Sequence, residues 1–318
     1  MDPRLFLADL EAKPASLRRL ASTLTGDVWR GLREPVERVL LLGMGSSRYA
    51  AEMAALRLRA AGVDAVAEYA SAANSYPAGP RTLVVAISAT GNSQETLDAA
   101  TRYQGSGRLV ALTNSPDSPL ADVADLVVPM HAGTEEGGVA CRTFQHTLLL
   151  LLDLVDRLTG APRDGAGLAR RAADATEDLL ARRDEWLPRA SDLLDGPHGL
   201  YALAPVERLS SAWQSALMVR EGPRRPADGC ETGDWSHVDV YLTKTLDYRA
   251  LLFPGSRYDP PALDWLSARG ATVLAVGAEV AGAAAVIRYP GDDDPGVRLL
   301  TETLVAELVA ARWWAASI

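Results

Sequence analysis

From residue 39 onward the chain alternates between two kinds of segment. Short, unbroken apolar runs end abruptly in small polar residues, and longer stretches with apolar residues at helical spacing follow them. Val39–Leu42 runs into Gly43-Met44-Gly45-Ser46-Ser47 and then an alanine-rich stretch to Ala61. Thr82–Ile87 runs into Ser88-Ala89-Thr90-Gly91-Asn92-Ser93 and a helical stretch from Gln94 to Tyr103. Arg108–Leu112 and Leu126–Pro129 are two further runs, the last leading through a glycine-rich loop to a helix over Phe144–Leu158. After a polar helical stretch near 160–196 the cycle restarts. Strands are predicted at Leu200–Leu203, Tyr248–Phe253, Thr272–Val276 and Val286–Tyr289, with helices at Ser210–Arg220, Ala262–Ala268 and Arg298–Trp314. Ahead of all this, Leu5, Leu7 and Leu10, then Leu17, Leu20 and Leu24, predict one or two amphipathic helices parted by Pro14.

Continuous apolar strands alternating with helices predict parallel sheets covered on both faces, an α/β class with the pattern run twice. At 318 residues the chain suits two domains. The expected division is a helical segment over 1–32, a first domain over 33–160, a helical linker over 161–196 and a second domain over 197–318. Apolar residues make up 48% and charged residues 23%, which excludes a disordered chain. A net charge of -9 disfavours a nucleic-acid partner. Two cysteines, Cys141 and Cys230, point to a reducing compartment rather than a disulfide scaffold. The apolar stretch Leu148–Leu154 is bounded by acids and reads as a buried helix, so no membrane partner is expected, and the acidic N-terminus is unlike a signal peptide. The expected location is cytoplasmic. Lysine occurs only at Lys13 and Lys244, so an amine nucleophile has two candidates.

In an open parallel sheet, ligands bind beyond the carboxyl ends of the strands. Two such ends carry clustered hydroxyls and a glycine: Gly45-Ser46-Ser47, and the loop holding Ser88, Thr90, Asn92 and Ser93. Unpaired N–H groups at a helix start carry partial positive charge, and small residues admit an anion close to them. This suits a phosphate monoester. Plain helix caps use the same residue types, and that reading stays open for each loop alone. The third glycine of a dinucleotide fingerprint is missing and no Gly-Lys-Ser follows, so no nucleotide cofactor is expected. No His/Cys cluster suggests a metal.

The strings VVAISATGNSQET (Val84–Thr96), LTNSPDSPLADVADLVV and HAGTEEGGVACRTF resemble the sugar isomerase (SIS) domain. Together with Leu10–Pro14 they are similar to the isomerase half of glucosamine-6-phosphate synthases. The resemblance implies two tandem SIS domains, each a flavodoxin-like three-layer sandwich, and a phosphosugar held by the first. Carried over by position, Ser46, Ser47, Ser88, Thr90 and Ser93 hold the phosphate, with Gly45 and Asn92 in the same loops. Ala89 stands where the family usually has glutamine. The helix end at Met218-Val219-Arg220-Glu221 resembles the one bearing the family's catalytic glutamate, and Gly233–His237 the loop bearing its histidine. Aldose–ketose isomerisation needs a base at carbon and a proton shuttle at oxygen, roles that fall to Glu221 and His237. By resemblance the histidine loop serves a neighbouring subunit, which implies a homodimer. Departures accompany the match: Met218 replaces a family lysine, Arg142 replaces another, and no counterpart of the glutaminase half or of the lysine-bearing tail is expected. Imine catalysis therefore has no evident nucleophile.

These readings make the chain an isomerase or deaminase of a 6-phosphorylated amino sugar, or a deglycase of a sugar–amine adduct. The alternative is a phosphosugar-binding sensor, which needs the serine loops and neither Glu221 nor His237. Other features read as structural: Glu135 as a loop support, Cys141 as an inert thiol, Trp313-Trp314 as packing, and Asp292–Asp294 as a solvated turn.

Overall fold

The computed structural model describes residues 1–32, 35–77, 79–105, 108–162 and 164–317. The expected domain start at Arg33 and the last residue, Ile318, lie outside the described residues. The chain divides into two compact units: Ala15–Thr134 with Arg142–Arg170, and Met1–Pro14 with Glu135–Cys141 and Arg171–Ile318.

The first unit holds strands β1 (Arg38–Gly43), β2 (Asp64–Tyr69), β3 (Thr82–Ile87), β4 (Arg108–Thr113) and β5 (Leu126–Pro129). All pair in parallel, in the order β2-β1-β3-β4-β5. Every side chain of β3 is buried, as expected of a central strand covered on both faces. The chain begins with α1 (Pro3–Glu11) and α2 (Lys13–Thr23); α3 (Gly45–Ala60), α4 (Gln94–Thr101), α5 (Pro119–Val123) and α6 (Arg142–Thr159) follow between and after the strands. The second unit holds β6 (Leu200–Ala204), β7 (Ala227–Glu231), β8 (Arg249–Leu252), β9 (Thr272–Val276) and β10 (Ala285–Ile287), again all parallel, in the order β10-β9-β8-β6-β7. Read from the other edge, this is the strand order of the first sheet, the flavodoxin-like 2-1-3-4-5. Its helices are α1 together with α7 (Gly165–Ala181), α8 (Arg183–Leu194), α9 (Leu209–Glu221), α10 (Thr232–Trp235), α11 (Asp259–Ala268), α12 (Pro295–Thr301) and α13 (Thr303–Ala316), of which α7 begins in the first unit's last residues.

Several expectations are corrected. Two strands escaped the sequence reading, β2 and β7, which take the same edge position in their sheets. Their sequences, DAVAEY and ADGCE, are half-exposed and lack an apolar run. Pro14 does not part the first two helices; it lies in the first turn of α2, where its missing N–H has no intrahelical partner to lose. The predicted terminal helix is two, broken at Glu302. Asp292 is not solvated: it is buried and paired with Arg288, whose guanidinium holds the carboxyl below its usual range, while Asp294 caps α12 by accepting from the Gly296 and Val297 N–H groups. Trp313 and Trp314 are buried as expected, with Arg225 over the Trp313 ring at 4.5 Å and Phe6 beside Trp314. No described helix is long and apolar enough to cross a membrane.

Candidate functional site

The strand order of the first sheet reverses between β1 and β3, and a crevice opens beyond the carboxyl ends of strands at such a point. Gly45, Ser46 and Ser47, which open α3, follow β1; Ser88, Thr90, Asn92 and Ser93 fill the loop from β3 to α4. The structure thus brings all seven sequence-predicted loop residues to one switch point. Thr90, Asn92 and Gly45 are exposed, Ser46, Ser47 and Ser93 half-buried, and Ser88 buried. Neither Met44, the N-cap of α3, nor Ser93, the N-cap of α4, caps a first-turn N–H with its side chain; the Ser93 hydroxyl donates to Glu95 Oε2 and accepts from Thr96 Oγ1. Ser47 N–H is bonded to Met44 O; the remaining first-turn N–H groups carry the partial positive charge of a helix start. Inside the loop, hydroxyls serve the backbone: Ser88 Oγ accepts from Gly91 N–H at 3.1 Å, and Thr90 Oγ1 from Asn92 N–H at 3.3 Å.

Close packing fixes the two loops. A Cβ on Gly43 would lie 2.9 Å from Ser47 Cβ, so only glycine lets α3 start this near β1. Gly91, at φ +66, would place a Cβ 1.9 Å from Ser118 Oγ. Three residues missed by the sequence reading complete the setting. Asn114 clamps the neighbouring loop, donating to Gly133 O at 2.8 Å and accepting from Ala132 N–H at 2.9 Å, while its own N–H binds Ala89 O. Ser118 is buried behind Gly91 with no partner for its hydroxyl among the described residues. Arg48 is buried one residue past Ser47, paired with Glu52 and lying over the Tyr69 ring at 4.3 Å. A cation directly after Gly-Ser-Ser was readable; the tertiary roles of Asn114 and Ser118 were not.

This geometry sits inside the segment that matches a known family: residues 33–155 match the SIS domain. Residues 33–155 form a SIS domain. The chain is also homologous to the isomerase part of glutamine–fructose-6-phosphate aminotransferase (isomerizing), with 29% identity to that of Aeropyrum pernix over 261 residues. That match covers 76% of this chain and 42% of the relative, so the chain spans well under half of the relative's length. Among solved structures, the C-terminal domain of glucosamine-fructose-6-phosphate aminotransferase from Francisella tularensis superposes with a TM-score of 0.82 at 17% identity, covering 98% of this chain and 96% of that one. Tagatose-6-phosphate ketose/aldose isomerase from Escherichia coli gives 0.82 at 17%, covering 98% and 94%. The structural likenesses establish the fold. Both loops of the switch point belong to the SIS domain.

The remaining candidates lie outside the SIS segment. Glu221 ends α9, half-buried, and burial pushes its carboxyl above the ordinary carboxylate value against the opposing pull of Arg220. Two turns earlier on the same face, Gln214 donates to Ala140 O at 2.8 Å, and between them Met218 is fully buried. His237 is exposed, its N–H bonded to Asp234 O just after α10. Since β6 and β7 are parallel, α9 must run back toward their amino ends, so Glu221 and His237 fall at opposite ends of β7. About 16 Å of strand separates those ends. Glu135 accepts from Cys141 N–H at 2.6 Å and so braces its own loop. Cys141 is free and buried, and burial, with Glu135 nearby, pushes its thiol well up. Lys13 is buried in an ion pair with Glu307, and Lys244 is exposed beside Tyr241, so neither amine lies in the loops of the SIS domain. Among the described residues no group of His, Cys, Asp and Glu could hold a metal ion.

Proposed function

We propose that the chain is an isomerase or deaminase of a 6-phosphorylated amino sugar, or of a related sugar–amine adduct, working by enediol or enolamine acid–base chemistry. The observation that carries this reading is the pair of hydroxyl-rich, uncapped helix starts at the β1/β3 switch point of the SIS domain. Such a site neutralises a phosphate dianion with backbone dipoles and hydroxyl donors, without a lysine. Ser46, Ser47, Ser88, Thr90 and Ser93 hold the phosphate. Glu221 moves the proton between adjacent carbons, a task helped by a carboxyl whose pKa burial has raised toward neutrality. His237 handles the ring and carbonyl oxygens. The placing of Glu221 and His237 at opposite ends of β7 supports a homodimer in which the histidine comes from the other copy. The second sheet, with the same strand order as the first, supports a second SIS domain over 197–318 after a first over 33–160.

The test is incubation with glucosamine-6-phosphate and with fructose-6-phosphate, followed by assay for ammonia and for the isomeric sugar. Turnover lost in Glu221→Gln with phosphosugar binding retained supports the enzyme. The buried Met218 in place of a family lysine favours one competing reading, a phosphosugar sensor. Binding without turnover, unchanged in Glu221→Gln, would establish that reading instead.

A further inference from the structure

The second sheet has its own switch point, between β6 and β8. The loop after β8 matches the loop after β3 in length: residues 253–258 between Leu252 and Asp259, against 88–93 between Ile87 and Gln94, six in each. The side chains differ. Asp259 Oδ2 accepts from Gly255 N–H at 2.7 Å and Ser256 N–H at 3.0 Å. In the first loop no carboxylate accepts a loop amide among the described residues; Ser88 and Thr90 hydroxyls do so.

Cationic donors surround the same place. Arg208, at the end of the 3-10 turn after β6, is 5% exposed; it donates to Pro254 O and pairs with Glu302. Arg298 donates to Asp292 O and Gly277 O and forms no ion pair among the described residues. Its Nη1 lies 3.8 Å from where a Cβ would sit on Gly255, and Arg208 Nη2 lies 2.9 Å from the same point. Tyr289, 5% exposed, has a hydroxyl without a partner among the described residues, 3.2 Å from the Cβ position of Gly277, where Arg298 Nε also comes within 3.9 Å. Two loop amides and two guanidiniums therefore converge on the tip of β8, and Arg298 links them to a buried hydroxyl at the tip of β9. Asp259 already stands on the amides, and its second oxygen is buried without a partner.

We propose that this tip is a second anion cradle, filled by the chain's own Asp259 carboxylate, and that removing that carboxylate turns it into a site for phosphate. Asp259 and Glu302 together balance Arg208 and Arg298, so an incoming dianion meets a neutralised cradle with its amides engaged. Without Asp259 the two amides are unbound and the two guanidiniums lose one of the carboxylates that face them, the conditions under which a loop of this kind takes an oxyanion. The proposal concerns the second unit alone and stands whether or not the SIS loops bind a sugar phosphate.

The experiment uses the full chain with Ser88→Ala and Thr90→Ala in place, titrated with inorganic phosphate by calorimetry and by phosphorus NMR. With Asp259 intact, no second-tip binding is expected. Asp259→Ala should bind one phosphate per chain at least tenfold more tightly than its parent, and adding Arg298→Ala should abolish the gain. Should Asp259→Ala lose its cooperative melt, Asp259→Ser keeps a short cap on the loop and is read the same way. A folded Asp259→Ala or Asp259→Ser variant that gains no phosphate overturns the proposal. A gain that survives Arg298→Ala and Arg208→Ala does so as well.

Discussion

Two buried clusters, one in each unit, hold their polar groups by different means. In the first, the fully buried His146 is held neutral between two uncharged partners: Nδ1 donates to Met130 O at 2.7 Å and Nε2 lies 3.0 Å from Ser16 Oγ. In the second, charge is buried in pairs, Lys13 with Glu307 and Arg208 with Glu302, each side chain at most 6% exposed. Burial pushes both glutamates up, and their cationic partners pull them back. A neutral network fails when a proton enters it. An ion pair fails when one member is removed, because the other is left charged in a place water cannot reach. The first unit should therefore be the one that senses mild acid, and the second the one that tolerates single substitutions worst.

The largest effect is expected from Glu307→Gln. Stranding Lys13 should cost about 3–5 kcal/mol in chemical denaturation, whereas Lys13→Met with Glu307→Leu should recover most of that loss. Equal losses in the single and double variants would mean that packing, not charge, governs this cluster. Next comes pH. Burial holds the His146 pKa down to about 4 from 6.5, so the unfolded chain takes up its proton first. Stability is then fully present above pH 6.5 and falls by about 3 kcal/mol on acidification toward pH 4. Urea titrations across that range should show the slope in the parent and lose it in His146→Gln; a slope unchanged in the variant would move acid sensitivity to the buried carboxylates. Gly91→Ala should cost about 2 kcal/mol, read as a fall in melting temperature, because its Cβ has no room beside Ser118 and its φ is unsuited to alanine. The smallest effect, about 1 kcal/mol, is expected of Ser88→Ala, which takes one of two acceptors from Gly91 N–H; its larger consequence should be a loss of affinity for a phosphorylated sugar that exceeds any loss for the free sugar in direct titration.

What the sequence made legible follows the same physics. Central strands such as β3 bury both faces and are written as apolar runs, whereas β2 and β7 lie at sheet edges and carry Asp, Glu and Gly, which no run betrays. The place of residues 45–47 and 88–93 at strand ends could be read because each group follows directly on an apolar run. The second tip could not. Arg208, Asp259, Tyr289 and Glu302 come from four separate places in the chain, and only folding makes neighbours of them. Buried glutamates within the apolar stretch TETLVAELV likewise read as surface until their partners are known.

The threading of the chain has a practical consequence. Boundaries between the two units fall at 14/15, 134/135, 141/142 and 170/171, so no single scission yields either one whole. A fragment ending at Arg170 keeps α1 but not α13, the helix it packs against, and bares Phe6 and Leu10. Gene halves split near the middle will make poor reagents, and any attempt to graft the second sheet onto another scaffold must carry the distant amino-terminal helix along.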